Sequence, residues 1–169
     1  MALLEIKRYP DRVLKERAAP VENIDRKIQR LIDDMIETMY AAPGIGLAAP
    51  QVGVSKRLIV IDVSLREGEK TPLIVLINPE IIDSRGEIES EEGCLSLPGY
   101  TTIVKRSERV IVRGLNREGK AIEIEGEGLL SRALQHEIDH LNGVLLINRI
   151  SAIKREFFKK RYQKALSRV

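Results

Sequence analysis

The only two histidines in the chain, His136 and His140, stand four positions apart inside a stretch whose apolar residues recur with the period of a helix. Leu130, Leu134, Ile138 and Leu141 mark the apolar stripe, and Gly143 is placed as a C-terminal stop, so residues 127–142 read as one helix. On that helix the two imidazoles face the same way, with Cβ atoms about 5–6 Å apart, and one ion can bridge them. Glu137 lies between them, placed to take a proton from water on that ion. His136-Glu137-Ile138-Asp139-His140 is therefore a metallohydrolase signature, although a pentapeptide of this kind also arises by chance.

The third ligand decides the class. After His140 the only acid is Glu156, in a basic segment, and position 146, where a longer protease pattern would need a third histidine, is Leu146. The ligand must lie upstream. Cys94 is the only cysteine and cannot form an internal disulfide. It sits in Glu91-Glu92-Gly93-Cys94-Leu95-Ser96-Leu97-Pro98-Gly99, a bend rich in Gly and Pro where a thiol can point inward. A buried structural thiol is the commonest fate of such a residue, but two imidazoles still need a partner. Three protein ligands leave one position open for water and substrate, whereas a closed structural site would want a fourth. The count favours metal-assisted hydrolysis.

Around this helix the sequence predicts a first helix over 25–41, capped by Asp25, with Ile28, Leu31, Ile32, Met35 and Met39 at helical spacing. Gly44 to Gly53, rich in Gly and small residues, reads as a functional loop. Strands are expected at 58–63, at 73–78 with Pro79 as its stop, and at 86–92, 101–106, 109–115 and 120–125, the last pair joined by a turn at Asn116–Gly119. A last helix is expected over 152–167, with Ile153, Phe157, Phe158, Tyr162 and Leu166 as its apolar stripe. Strands grouped between helical regions predict an α+β fold. Its sheets would be mainly antiparallel around the central metal-binding helix, with an N-terminal helix and a C-terminal basic helix. No interdomain linker stands out in 169 residues, so one catalytic domain is expected over 1–169.

Charge is unevenly spread. Residues 149–169 carry eight Lys or Arg and one acid, against 20 basic and 24 acidic residues before them. Such an arm suits an anionic partner, or is simply a solvated helix face. No run approaches the roughly 18 apolar residues of a membrane span and no leader-like start is visible, so a cytoplasmic protein without membrane contact is expected.

Three segments, Gly44 to Gln51, Glu92 to Ser96 and Gln135 to His140, resemble in order the three motifs of peptide deformylases. The likeness extends to Tyr9-Pro10-Asp11 and to Leu141-Asn142-Gly143. The resemblance implies removal of the N-formyl group from N-formylmethionyl nascent polypeptides, with release of formate. The implied metal ligands are Cys94, His136 and His140. Metal-bound water would attack the formyl carbon, with Glu137 as general base and then general acid. The Gln51 amide and the Leu95 backbone N–H would stabilise the oxyanion. Backbone groups of Ile45, Gly46 and Gly93 to Leu95 would hold the substrate as an added strand.

Leu129 and Ala133, seven and three residues before His136, would flank the methionine side chain together with Ile45; a plain core role fits all three as well. Glu92 would orient the Cys94 loop by pairing with Arg106, the alternative being an exposed acid. The resemblance implies iron(II) in the cell, while zinc, nickel or cobalt would also suit the ligands in purified protein. It also implies ribosome contact through the basic C-terminal helix. Pro98 to Lys105 departs from the family pattern, which often has a basic residue near Thr101 and a proline near Lys105. Two rivals stand beside this reading: a zinc protease cutting internal peptide bonds, and a nonenzymatic RNA-binding module with a structural metal.

Overall fold

Asp25 accepts a hydrogen bond from Ile28 N–H at 3.0 Å and starts helix α1 (Arg26–Ala41), whose inner face buries Ile32, Met35 and Met39. The computed structural model describes residues 2–67 and 72–167. Strand β2 (Leu58–Ile61) is buried at every position because both its faces are covered. Leu58 and Val60 pack with α1, while Ile59 and Ile61 pack with Ala133, Leu134, Ile138 and Leu141 of helix α3 (Gly128–Leu141). That explains its unbroken apolar run. One turn of helix, α2 (Ser64–Glu67), follows β2.

Five antiparallel strands form the main sheet in the order β1 (Gly46–Ala48), β2, β3 (Ile74–Arg85), β6 (Arg109–Leu115) and β7 (Ala121–Glu127). Strands β4 (Ile88–Cys94) and β5 (Leu97–Arg106) make a separate antiparallel hairpin. The fold is α+β, and every pairing between named strands is antiparallel. Helix α3 lies against the main sheet, where it meets β1, β2, β6 and β7, and Gly143, at φ 73°, ends it as expected. The β6–β7 turn is fastened by the Asn116 side chain, which accepts from Glu118 and Lys120 N–H.

Three local expectations need correction. The strand that Pro79 was expected to stop runs on to Arg85. Its register shifts between Ile77 and Glu80, and Asn78 adopts φ 53°, so the proline sits at a bulge where its missing N–H leaves no ladder bond unmade. Gly114 opposite gives room, since a Cβ there would lie 3.1 Å from the Ile77 carbonyl. The Gly44–Gly53 segment is not a loop throughout: it contains β1 and a 3₁₀ turn, Ala49–Val52. The supposed bend at 91–99 is mostly hairpin, with only Leu95 and Ser96 in the turn.

Helix α4 (Ala152–Ser167) divides its expected stripe. Phe158 is buried among Tyr9, Tyr100 and Tyr162, whereas Ile153 and Phe157 are exposed on another side. The Leu166 side chain lies outside the described residues. Among the described residues no helix is long and apolar enough to cross a membrane.

Candidate active site

Cys94 ends β4 at the hairpin turn, and His136 and His140 face it from α3. Cys94 Sγ lies 3.3 Å from His140 Nε2, which lies 3.3 Å from His136 Nε2, and the three donor atoms fall within 4.8 Å of one another. Two imidazole nitrogens sharing one tetrahedral ion at about 2.0–2.1 Å would stand about 3.4 Å apart. The donor set and its spacing fit one divalent ion. Electrostatics agree: burial opposes a proton on His136, yet the charge of Glu137 and the hydrogen bond that the ring donates to Cys94 raise its pKa well above the usual value. The pocket asks for a positive charge. Burial above all holds His140 well below the usual imidazole range, so it offers a neutral ring nitrogen.

His136 Nδ1 lies 3.1 Å from Glu92 Oε1, and Glu92 also accepts from Arg106 Nε and Nη2 at 3.1 and 2.9 Å. The expected Glu92–Arg106 pair is thus present and buried, and it reaches the imidazole rather than the thiol. Burial alone would raise the Glu92 carboxyl, but the hydrogen bonds from His136 and Arg106 and the Arg106 charge hold it at about 2. Glu137 has the opposite environment. Burial pushes it up to about 7 against the pull of His136 and Arg106, and its Oε1 is buried with no hydrogen-bond partner among the described residues.

Gln51, in the 3₁₀ turn, is fully buried. Its Oε1 accepts from Ala48 N–H at 2.9 Å, which turns Nε2 toward Cys94 Sγ at 3.6 Å and Ser96 Oγ at 3.2 Å. Leu95 follows Cys94 in the turn and comes close to Gly44, where a Cβ would lie 2.9 Å from Leu95 Cδ1. A cleft of about 630 Å³ opens between these elements, lined among others by Ile45, Gly46, Gly93, Leu129 and Ala133. Asp62 N–H donates to the Ile45 carbonyl, so Gly46 and Ile61 form a non-hydrogen-bonded pair. The N–H and C=O of Gly46 therefore point off the free edge of β1.

The model of the polypeptide deformylase family matches residues 3–156. The peptide deformylase of Thermodesulfovibrio yellowstonii is 68% identical over 163 residues, covering 96% of this chain and 98% of that protein. That of Syntrophobacter fumaroxidans is 57% identical, with 98% and 97% covered. The chain belongs to the polypeptide deformylase family. Among solved deformylases, that of Legionella pneumophila superposes with a TM-score of 0.89 at 49% identity, covering 99% of both chains. That of Ehrlichia chaffeensis, solved in complex with actinonin, gives 0.91 at 41% identity and 98% of both. The deformylases are metal-dependent hydrolases, and the Cys94, His136 and His140 cluster is where this chain can hold a metal.

The site residues expected from the deformylase motifs lie around this cleft and the three donor atoms, but the sequence reading missed several neighbours. Arg132, four residues before His136 and so on its helix face, lines the cleft and donates to Ser90 Oγ at 2.5 Å. Helical spacing alone could have found it. Ser96, bonded to Gln51, lay inside a quoted motif. Asp139, inside the metal motif, and Arg149 join the Arg106 network. Thr101, on β5, donates to Glu91 across the hairpin.

Proposed function

We propose that the chain hydrolyses the N-formyl group of N-formylmethionyl nascent polypeptides and releases formate. The observation that carries this reading is the meeting of three metal-donor atoms with the Glu137 carboxylate, whose Oε2 lies 4.0 Å from His136 Nε2, and with the Nε2 of Gln51. Cys94, His136 and His140 would hold the ion. A divalent ion there supplies Lewis acidity, polarising the formyl carbonyl and lowering the pKa of water to about 7.

The rest falls to the chain. The Glu137 carboxylate takes the proton from the attacking water; a carboxyl near 7 is balanced between accepting and returning a proton at neutral pH. It then delivers that proton to the amine leaving the formyl carbon. Gln51 Nε2 and the Leu95 N–H donate to the oxyanion as charge develops on the formyl oxygen. The outward N–H and C=O of Gly46 on one side, and Gly93 to Leu95 on the other, align the peptide as an extended strand. Ile45, Leu129 and Ala133 offer apolar surface to the methionine side chain, and burial of the cleft floor keeps the Glu137 proton from bulk water.

Residues 1–169 act as one catalytic unit, and the protein works in the cytoplasm, where nascent chains are met. Iron(II) is the proposed ion in the cell, with zinc, nickel or cobalt able to replace it in purified protein. The basic helix α4, whose Ile153 and Phe157 are exposed, is proposed to contact the ribosome. Binding that is unchanged from low to high salt, or after deletion of 152–169, would count against that contact. The decisive experiment is formate release from a formyl-methionyl peptide by anaerobically purified protein of measured metal content. Release is expected; iron-loaded protein that releases none defeats the proposal.

A further inference from the structure

Asp139 lies inside the metal motif, yet it lines a second, polar cleft of about 290 Å³ behind the site, together with Arg106, Gln135 and Arg149. Its role follows from how Arg106 spends its donors. Nε and Nη2 go to Glu92, and Nη1 goes to Asp139 Oδ2 at 2.6 Å. Asp139 in turn accepts from Arg149 Nε at 3.0 Å and from Nη2 at 2.7 Å, a two-pronged contact.

The result is one unbroken series from the site to the surface: His136, Glu92, Arg106, Asp139, Arg149. Carboxylates and guanidiniums alternate along it, two of each. Exposure of the side chains rises outward, from 3% at Arg106 to 12% at Asp139 and 47% at Arg149. A guanidinium as buried as Arg106 cannot leave a donor unpaired without cost, so Asp139 is what lets it face Glu92 squarely. Arg149 has the same relation to Asp139. Without it, the surplus negative charge on Asp139 draws Arg106 away from Glu92, and Glu92 is held less firmly against Nδ1.

We propose that Asp139 and Arg149 are positioning residues for the metal centre, acting on His136 through Arg106 and Glu92. This rests on the reading of Cys94, His136 and His140 as metal ligands. Arg149 follows the 3₁₀ turn Leu146–Asn148 and precedes α4, so the outermost member of the series belongs to the segment that leads into the C-terminal helix.

The test uses cobalt(II)-loaded full-length protein, reading its visible absorption and the rate at which a chelator removes the ion, with thermal unfolding as a control for the fold. Arg149→Gln is expected to release cobalt about 3- to 10-fold faster, below the 10- to 100-fold of a partner bonded directly to the ligand, and to shift the absorption bands. Arg149→Lys, which keeps the charge but loses the fork, should recover part of the loss. Arg155→Gln is the comparison: Arg155 ties α4 to the Ile147 and Ile150 carbonyls and does not touch Asp139. It should release cobalt as the unmodified protein does.

Asp139→Asn should resemble Arg149→Gln; if it does not fold, the surface variant still decides. Unchanged release and spectrum in a folded Arg149→Gln protein overturn the proposal, as does equal acceleration by Arg155→Gln. Cobalt uptake by the unmodified protein that is lost in His136→Ala keeps the ligand reading standing in those cases. No uptake by the unmodified protein overturns both.

Discussion

Gly46 and Glu137 are packed so closely that a Cβ built on Gly46 would lie 2.6 Å from Glu137 Oε2 and 3.0 Å from its Cδ. The edge strand rests directly on the carboxylate, and the glycine is needed for space. Gly46→Ala must push the Glu137 side chain aside. Because a positioned general base contributes roughly 10²–10⁴-fold, kcat for formate release is expected to fall by at least about 10²-fold. Overpacking should cost about 1–3 kcal/mol of stability. A folded Gly46→Ala protein with near-normal kcat would show that Glu137 does not act from this position.

Glu92 holds His136 at Nδ1 and is itself held by Arg106. Removing the charge while keeping the shape, in Glu92→Gln, should weaken metal binding by about 10- to 100-fold. Competition with a chelator of known affinity measures it. Unchanged affinity in the folded variant would remove Glu92 from the metal site.

Much of this arrangement could be read from the sequence because its determinants are local. The His136–His140 pair needs only helical periodicity, and Cys94 needed only a count of remaining donors. What escaped the reading depends on partners distant in the chain. Strand β1 is only three residues long in a Gly-rich segment, and only pairing with β2 makes it a strand. Pro79 looked like a terminator because the sequence does not reveal the bulge opposite Gly114. The sequence assigned Asp139 and Arg149 no part in the site; that Asp139 meets Arg106, 33 residues upstream, and Arg149 beside it is a product of tertiary folding. Ile153 and Phe157 seemed to share a stripe with Phe158, but α4 meets the body along one side only.

Tyr40 donates a short hydrogen bond to Asp62, whose N–H holds the Ile45 carbonyl beside the cleft. Burial first, then the hydrogen bond and charge of Asp62, push the Tyr40 phenol up to about 12. A folded pKa above the unfolded value gives a stabilising contribution that is complete below about 10 and is lost as pH rises through about 12. The stability difference between the unmodified protein and Tyr40→Phe should therefore be constant up to about pH 10 and shrink above it. Phenolate absorbance should show a late tyrosine step, and that step should vanish in Tyr40→Phe. A Tyr40 that ionises near pH 10 would contradict the contact with Asp62.

Gly143 combines two demands that no other residue meets. Its φ is 73°, and a Cβ on it would lie 2.5 Å from the Lys15 carbonyl oxygen, where the end of the 3₁₀ turn Arg12–Lys15 crosses the exit of α3. Gly128 has a similar backbone, at φ 57°, with nothing within 4 Å of the Cβ position. Comparing alanine at the two sites separates conformational strain from collision. Gly128→Ala should lose only the roughly 1–2 kcal/mol of a left-handed residue, about 2–8 °C in Tm for a chain of this length. Gly143→Ala should lose distinctly more, because either the Lys15 backbone or the end of α3 must move, and His140 stands only three residues before it. Thermal unfolding checks both, and equal losses at the two glycines would mean that the crossing at Lys15 yields freely.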